Sequence, residues 1–215
     1  MIQKKLSYKR EDIEGIIFDL DGTLYNQKKM RFYMIFDLFS YYFLRPHKLN
    51  DLRVIYYFRK KRDELYSCNN LEQSQYVIVS DILKIPKEEV QRVVSFWIYK
   101  RPLKFIKRCK YPYIADLFSK IYLSDLKVSV VSDYPVEEKL KALDIRVDVK
   151  ICSTDQEINA FKPNPKGFLV ASERMGVLPK KCIVVGDRDD KDGEGAKNAG
   201  MFFVKINKDI NNIFT

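Results

Sequence analysis

An apolar run that ends in two carboxylates is the feature that most constrains the fold of this chain. Ile16, Ile17 and Phe18 lack the polar alternation of a half-solvated strand, so they predict a strand buried on both faces, as in a parallel sheet. Asp19 and Asp21 follow directly, and in an extended backbone residues two apart point to the same side. Because open α/β folds bind ligands at the carboxyl ends of their strands, the pattern predicts a pair of acids at such an edge.

The residues after this strand leave two interpretations open. Gly22 allows the backbone to turn sharply and keep both acids accessible. The sequence Asp-Leu-Asp-Gly is also an ordinary turn, since Asp and Gly are common turn residues. The assignment of a functional site therefore depends on what the rest of the chain supplies.

The segment after Tyr25 has a different character. No glycine occurs between Gly22 and Gly167, and the apolar residues up to about Lys110 recur at helical rather than strand spacing. The segment predicts a mostly helical insertion. Its four helices are predicted from Met30 to Tyr41, from Asn50 to about Tyr66, from about Leu71 to Leu83, and from Pro86 to Arg101.

The same segment carries the basic charge of the chain. Residues 26–110 contain 19 Lys and Arg against 8 Asp and Glu, whereas the formal net charge of the whole chain is +10. The run Arg59-Lys60-Lys61-Arg62 is interpreted as a solvated helix face, with the mouth of an anion site or a nucleic-acid contact as alternatives. The many aromatic side chains at helical spacing are interpreted as the core of the insertion and its seam with the sheet.

Composition excludes several kinds of site. The only histidine, His47, leaves no histidine-based triad or histidine-rich metal site. The four cysteines have no paired close spacing, so neither a zinc site nor a redox motif is predicted, and scattered thiols are typical of the cytoplasm. The apolar stretch 32–44 is too short to span a bilayer, and the charged residues 1–14 do not resemble a signal peptide.

Three further polar positions follow predicted strands or loops. Ser132 ends a strand, and its hydroxyl and neighbouring N–H groups could donate to a phosphoryl oxygen. Lys162 lies in Phe-Lys-Pro-Asn-Pro, where it offers a compact cation. Asp187 follows the apolar strand that starts at Cys182 and begins a run of acids. Oxygen ligands gathered at strand ends, without His or Cys, suit Mg²⁺.

Together these motifs resemble those of the haloacid dehalogenase (HAD) superfamily of phosphohydrolases, in the same order along the chain. The resemblance covers about residues 13–25 and 112–206. It implies an α/β fold: a three-layer, Rossmann-like parallel sheet with an inserted four-helix (C1-type) cap. The implied core domain comprises residues 1–25 and 111–215, and the implied helical cap domain comprises residues 26–110.

The resemblance also implies roles for individual residues. Asp19 would attack phosphorus and form an aspartyl-phosphate, and Asp21 would act as the general acid and base. Ser132 and Lys162 would stabilise the transferring phosphoryl group. Mg²⁺ would be held by Asp19, the backbone carbonyl of Asp21 and Asp187, with Asp192 ordering its waters. The resemblance leaves open whether Asp192 or another acid of the 187–192 cluster takes this role.

The expected function is a Mg²⁺-dependent phosphatase acting on a small phosphorylated metabolite, similar to phosphoglycolate phosphatases or nucleotidases. Asp21 argues against the dehalogenases of the superfamily, which do not need an acid at that position. A phosphomutase remains an alternative, as does a non-catalytic module that binds nucleic acid or protein through the basic cap. No membrane partner is expected, and the sequence determines neither the substrate nor the oligomeric state.

Overall fold

A five-stranded parallel sheet forms the centre of the molecule. The computed structural model describes residues 12–62, 64–65 and 70–206. The strand order is β3-β2-β1-β4-β5, so the first strand occupies the middle. The strands are β1 (Gly15–Phe18), β2 (Lys127–Ser132), β3 (Val149–Cys152), β4 (Cys182–Gly186) and β5 (Phe202–Lys205). All four pairings are parallel, and Phe18 lies level with Val130 on one side and Val185 on the other.

Alternate residues of each strand supply two separate apolar clusters, one on each face of the sheet. Ile16 and Phe18 belong to the larger cluster, whereas Ile17 belongs to the smaller one. This division follows from the two-residue period of a strand. All four residues of β1 are buried, which confirms the prediction of a strand covered on both faces.

Helices cover both faces. On the first face lie α6 (Ile114–Tyr122) and α7 (Glu137–Leu143), whose apolar residues join the cluster of Ile16 and Phe18. On the second face lie α8 (Lys166–Met175) and α9 (Glu194–Asn198), whose apolar residues join the cluster of Ile17. The layers are helix, sheet and helix, so the predicted α/β class is confirmed.

In the part of the chain that the structure describes, five α-helices connect β1 to α6. They are α1 (Gln27–Phe43), α2 (Asn50–Arg62), α3 (Leu71–Leu83), α4 (Lys87–Val94), which continues as a π-helical segment over 95–100, and α5 (Leu103–Cys109). Asn26 caps α1 by accepting from the N–H of Lys29, and Asn70 caps α3 in the same way. The predicted end of α2 near Tyr66 lies outside the described residues, as does Cys68.

The apolar core runs without interruption from the sheet into these helices. Met30, Tyr42, Phe58 and Trp97 belong to the same cluster as Phe18. We refer to residues 27–62 and 97–102, which carry the helical side of the site described below, as the helical wall. Among the described residues, no helix is both long and apolar enough to cross a membrane.

The interpretation of the aromatic side chains as core is wrong for one side of α1. Tyr42 and Phe58 are buried, but Phe32, Phe36, Phe39 and Phe43 are exposed. The reason is geometric: α1 is apolar around its circumference, and only one side of a helix can pack against the molecule. Its inner side contacts α5 and the core, so its outer side is left in solvent.

Candidate active site

The polar residues predicted from the strand ends meet at one edge of the sheet. Asp19 directly follows β1, Ser132 is the last residue of β2, and Asp187 directly follows β4. The N–H of Asp19 donates to the carbonyl of Val185 at 2.8 Å, which fixes the backbone of this acid to the neighbouring strand. Because all strands are parallel, their carboxyl ends bring these side chains to a single edge.

Three carboxylates form a compact group at this edge. One oxygen from each of Asp19, Asp187 and Asp192 lies within 4.8 Å of the others. Two glycines make the approach possible. A Cβ on Gly22 would stand 2.3 Å from Asp187 Oδ2, and a Cβ on Gly186 would stand 2.5 Å from the carboxyl carbon of Asp192. Gly22 also has φ of +109°, a conformation that side chains rarely adopt.

A buried lysine partly neutralises this group. Lys162 Nζ donates to Asp19 Oδ1 at 2.5 Å and to Asp192 Oδ1 at 2.6 Å, and it also contacts the carbonyl of Val131 at 3.3 Å. Burial lowers the pKa of Lys162, but Asp19 and Asp192 outweigh burial and raise it, so the ammonium keeps its proton. Lys162 therefore places a cation directly beside Asp19.

The carboxyl group of Asp19 is held at both oxygens. Thr23 Oγ1 donates to Oδ2 at 2.9 Å, while Lys162 occupies Oδ1. Burial raises the pKa of Asp19 to about 7, with Asp192 and Asp21 adding to the rise and Lys162 opposing it. A cation bound beside Asp19 would therefore favour the charged form of this carboxyl group.

Asp21, two residues after Asp19, lies in an environment with the opposite effect on its pKa. Lys139 Nζ donates to both of its oxygens, at 2.5 and 2.8 Å, Ser132 Oγ donates at 3.3 Å, and the Tyr25 hydroxyl also donates. Burial alone would raise the pKa of Asp21, but the ion pair with Lys139 and these hydrogen bonds lower it. Burial and the charge of Asp21 raise the pKa of Tyr25.

A further acid fixes the loop that carries the buried lysine. Asp133 Oδ1 accepts from Ser153 Oγ at 2.7 Å and from the backbone N–H of Lys162 at 3.2 Å. The side chain of Lys191 lies 3.7 Å from the other oxygen of Asp133. The loop therefore has a polar anchor directly beneath the ammonium group.

The acids that follow Asp187 face different directions. Asp189 pairs with Lys205, Asp190 pairs with Arg188, and both acids are exposed. Asp192 is buried, because the π-helical turn 189–193 brings it back towards β4, where the N–H of Arg188 donates to it at 3.2 Å. Asp187 and Asp192 are thus the two acids of this run that lie beside Asp19. Burial raises the pKa of Asp187, and the neighbouring charge of Asp192 raises it further.

The side chains gathered at the strand ends form the floor of a cavity of about 430 Å³. This volume is in the range of small-molecule sites. The sheet side of the cavity is polar and includes Asp19, Asp21, Ser132, Lys162 and Asp187. The opposite side is the helical wall, and most of its lining is apolar. Its members are Met30, Met34, Ile35, Leu38, Ile55, Trp97, Ile98 and Pro102, with Gln27, Arg31, Arg59 and Arg62 as the polar exceptions.

Arg62 is the polar residue of the helical wall that is most enclosed. Its side chain is 5% exposed, and its guanidinium lies 3.9 Å from the ring centre of Tyr134 and 4.4 Å from that of Phe161. Nη1 donates to Gln75 Oε1 at 2.7 Å, while Nη2 is buried without a hydrogen-bond partner among the described residues. The prediction of a solvated face is therefore wrong for Arg62, although Arg59 and Lys60 are exposed.

Sequence reasoning missed Lys139, Tyr25 and Arg62. Lys139 follows two glutamates in a short helix, a context typical of a solvated lysine, and only the packing of α7 brings it to Asp21. Tyr25 is four residues beyond Asp21, and its contact depends on the turn between them. Arg62 belongs to a run of four cations, so nothing in its neighbours distinguishes it.

Comparison with known proteins places these observations in context. A family model described as a haloacid dehalogenase-like hydrolase matches residues 13–200. The phosphoglycolate phosphatase of Shigella dysenteriae serotype 1 (strain Sd197) is 28% identical over 205 residues, which cover 89% of this chain and 80% of that protein. The glyceraldehyde 3-phosphate phosphatase of Methanopyrus kandleri is 45% identical over 71 residues, or 33% of this chain and 30% of that protein.

Solved structures show the same fold. The structure of a 2-haloacid dehalogenase from Pseudomonas syringae pv. Tomato DC3000 superimposes with a TM-score of 0.66 at 16% sequence identity. The superposition covers 94% of this chain and 98% of that chain. At this identity the likeness concerns the path of the backbone and carries no information on the reaction.

Proposed function

The chain belongs to the haloacid dehalogenase-like hydrolases, and from this premise we propose that it is a Mg²⁺-dependent phosphatase acting on a small phosphomonoester through an aspartyl-phosphate on Asp19. One observation carries the proposal: a buried carboxylate at a strand end faces a cavity, with an ammonium on one oxygen and two further acids beside it. Such an arrangement supplies a nucleophile together with positive charge for a phosphoryl group.

The donor set fits Mg²⁺. The three carboxylates converge within 4.8 Å and offer oxygen atoms alone, which are the ligands that hard cations prefer. We propose that Asp19, Asp187 and the backbone carbonyl of Asp21 hold the ion and that Asp192 orders its waters. When bound, the cation neutralises charge on the nucleophile and on the phosphoryl oxygens.

The first chemical step uses the two acids of the first strand end. A carboxylate oxygen of Asp19 forms a bond to phosphorus while the bond from phosphorus to the alcohol oxygen breaks. The proton that the leaving alcohol needs comes from Asp21. In the second step a water gives its proton to Asp21 and attacks phosphorus, which releases phosphate and regenerates Asp19. Ser132 and Lys162 donate to the phosphoryl oxygens throughout.

The ion pair with Lys139 determines when Asp21 can act as an acid. A carboxyl group whose pKa is lowered is ionised at neutral pH and has no proton to donate. A phosphate group in the cavity is an alternative anionic partner for the Lys139 ammonium, which also lines the cavity. Withdrawal of Lys139 towards the phosphate, together with the negative charge of that phosphate, would raise the pKa of Asp21 when substrate is present.

The relatives support a compact substrate. Their names designate phosphoglycolate and glyceraldehyde 3-phosphate, two small phosphorylated carbon compounds, and a cavity of about 430 Å³ would hold a molecule of that size. We propose that residues 26–110 act as a cap domain that encloses the substrate over a core domain of residues 1–25 and 111–215. The free thiols of Cys109, Cys152 and Cys182 support the reducing cytoplasm as the site of action.

Hydrolysis of para-nitrophenyl phosphate tests the proposal. We expect turnover with Mg²⁺, none with EDTA, and a loss of at least ~10³-fold in Asp19→Asn, because a neutral amide is not a nucleophile. Asp189→Asn is the matched control, since it removes an exposed acid of the same edge that pairs with Lys205. Near-normal turnover in Asp19→Asn, with an unchanged melting temperature, would contradict the assignment of the nucleophile.

A further inference from the structure

The outer side of α1 bears an apolar stripe that the catalytic proposal does not use. The outer stripe consists of Phe32, Ile35, Phe36, Phe39 and Phe43, which recur at helical spacing and therefore lie along one side of the helix. Their exposed fractions range from 58% to 80%. An aromatic side chain contributes roughly 150–250 Å² of surface, so the stripe leaves several hundred Å² of apolar area in solvent.

The charge around the stripe has a single sign. Residues 27–62 contain ten Lys and Arg but only two acids, Asp37 and Asp51. Both acids are used inside the molecule: Asp37 pairs with Arg101, while Asp51 is buried and accepts from the Tyr42 hydroxyl. Lys28, Lys29, Arg31 and Arg45, at the two ends of α1, are exposed. The outer surface of this segment therefore combines apolar side chains with an excess of positive charge.

The stripe reaches the mouth of the active-site cavity. Ile35 belongs to the stripe and also lines the cavity. Arg31, one turn earlier on α1, lines the cavity as well. A surface that covers the stripe would therefore lie against the cavity mouth. The apolar helical wall continues the character of the stripe inwards through Met34 and Leu38.

We propose that the outer stripe of α1 docks on an anionic lipid surface and holds the cavity mouth at that surface. Aromatic and aliphatic side chains beside Lys and Arg are the composition of helices that lie in the membrane interface. The apolar residues enter the boundary between headgroups and acyl chains, while the cations at both ends of α1 contact lipid phosphates. No membrane-spanning segment is needed for this mode of binding.

A second copy of the chain fits the stripe less well. A helix of 17 residues is ~25 Å long and ~10 Å wide, so a stripe on one side offers a few hundred Å², against ~800 Å² per partner in a stable interface. Two copies would also bring their exposed cations together. A single-stranded nucleic acid would need a groove along its backbone, whereas the stripe is a convex ridge that includes an aliphatic residue.

Sedimentation with vesicles tests the docking without reference to catalysis. We expect the full-length protein to sediment with vesicles of phosphatidylglycerol and phosphatidylcholine in equal parts, and far less with phosphatidylcholine alone. Raising NaCl from ~0.1 to ~1 M, which shortens the Debye length from ~10 to ~3 Å, should weaken binding. The double variant Phe36→Ser/Phe39→Ser should bind vesicles about tenfold or more weakly, since it removes two of the side chains that enter the lipid.

The matched control is Leu123→Ser/Leu178→Ser, which removes two exposed leucines outside the helical wall and should bind like the wild type. Melting temperatures check that each variant folds, and Phe39→Glu serves as a second variant of the stripe. The proposal is overturned if the protein stays in the supernatant with anionic vesicles, or if the stripe variants sediment as the wild type does. It is also overturned if gel filtration shows a dimer that the stripe variants convert to monomer.

Discussion

The two sides of the cavity differ in how their charges are compensated. On the sheet side, Asp19 and Asp192 share Lys162, and Asp21 is paired with Lys139. On the helical wall, the buried guanidinium of Arg62 has one nitrogen bound to Gln75 and another without a partner among the described residues. On the first side Asp19, Asp21 and Asp192 each have a lysine partner, whereas the second side has unused donor capacity within an apolar lining.

This difference indicates a division of labour. The polar groups on the sheet side hold each other in place before any substrate arrives, as transition-state stabilisation requires. A buried donor without a partner costs free energy, so the Nη2 of Arg62 is available to a ligand or a water in the cavity. The sheet side is therefore expected to determine the reaction, and the helical wall to determine which molecule reacts.

The largest effect that sharpens this comparison concerns the acids of the sheet side. Asp187→Ala should lower the affinity for Mg²⁺ by ~100-fold or more, since even residues that merely orient metal ligands contribute 10–100-fold. Asp189→Ala should change it within about twofold, because its exposed pair with Lys205 contributes little. Calorimetric titration with Mg²⁺ measures both. Equal losses in the two variants would mean that the metal does not lie between Asp19 and Asp187.

A second experiment can break the comparison from the helical side. Arg62→Gln should raise KM by about tenfold or more with little change in kcat, because a hydrogen bond from a charged donor to substrate is worth ~1.5–3 kcal/mol. Lys60→Gln is the control, since Lys60 is exposed on the same helix. Steady-state kinetics with a preferred phosphomonoester gives both constants. An unchanged KM, or a fall confined to kcat, would remove the helical wall from substrate selection.

The smallest effect concerns the pair between Asp21 and Lys139. The pKa of Asp21 is lowered in the folded protein, so this carboxylate contributes stability above its ordinary pKa of 3.8. That stability is lost as pH falls through the pKa that Asp21 has in the folded state. Lys139→Met should therefore lower the unfolding free energy by ~1 kcal/mol at neutral pH and by less at ~pH 3. Lys141→Met, which removes an exposed lysine of the same helix, should have no such pH dependence. Urea denaturation at both pH values measures the unfolding free energy of each variant. A loss of stability in Lys139→Met that is the same at both pH values would count against the ion pair.

The sequence was most informative where chemistry and backbone direction coincide. Asp19, Ser132 and Asp187 each stand at the end of an apolar strand, and parallel strands bring such ends together irrespective of the details of packing. The register of β1 with its neighbours confirms this placement. The fold class could be predicted for the same reason, because a strand buried on both faces requires helices on both sides.

Helix faces could not be predicted with the same success. Which side of a helix is buried depends on its neighbours, and Lys139 and Arg62 reach the site only through the packing of α7 and α2. In α1 the apolar residues surround the helix, so periodicity alone could not show that Phe39 and Phe43 face outwards.

The position of β1 in the middle of the sheet also has a consequence for the order in which the chain folds. Gly15 pairs with Lys127 on one side and with Cys182 on the other, so both partners are synthesised long after β1 itself. Six of the described helices, α1 to α6, precede β2, the first neighbour of β1 along the chain, and contacts so distant along the chain form slowly because of the entropy of loop closure. Until β4 emerges from the ribosome, the strand that precedes Asp19 keeps one unpaired edge, and such an edge is prone to pair with other chains.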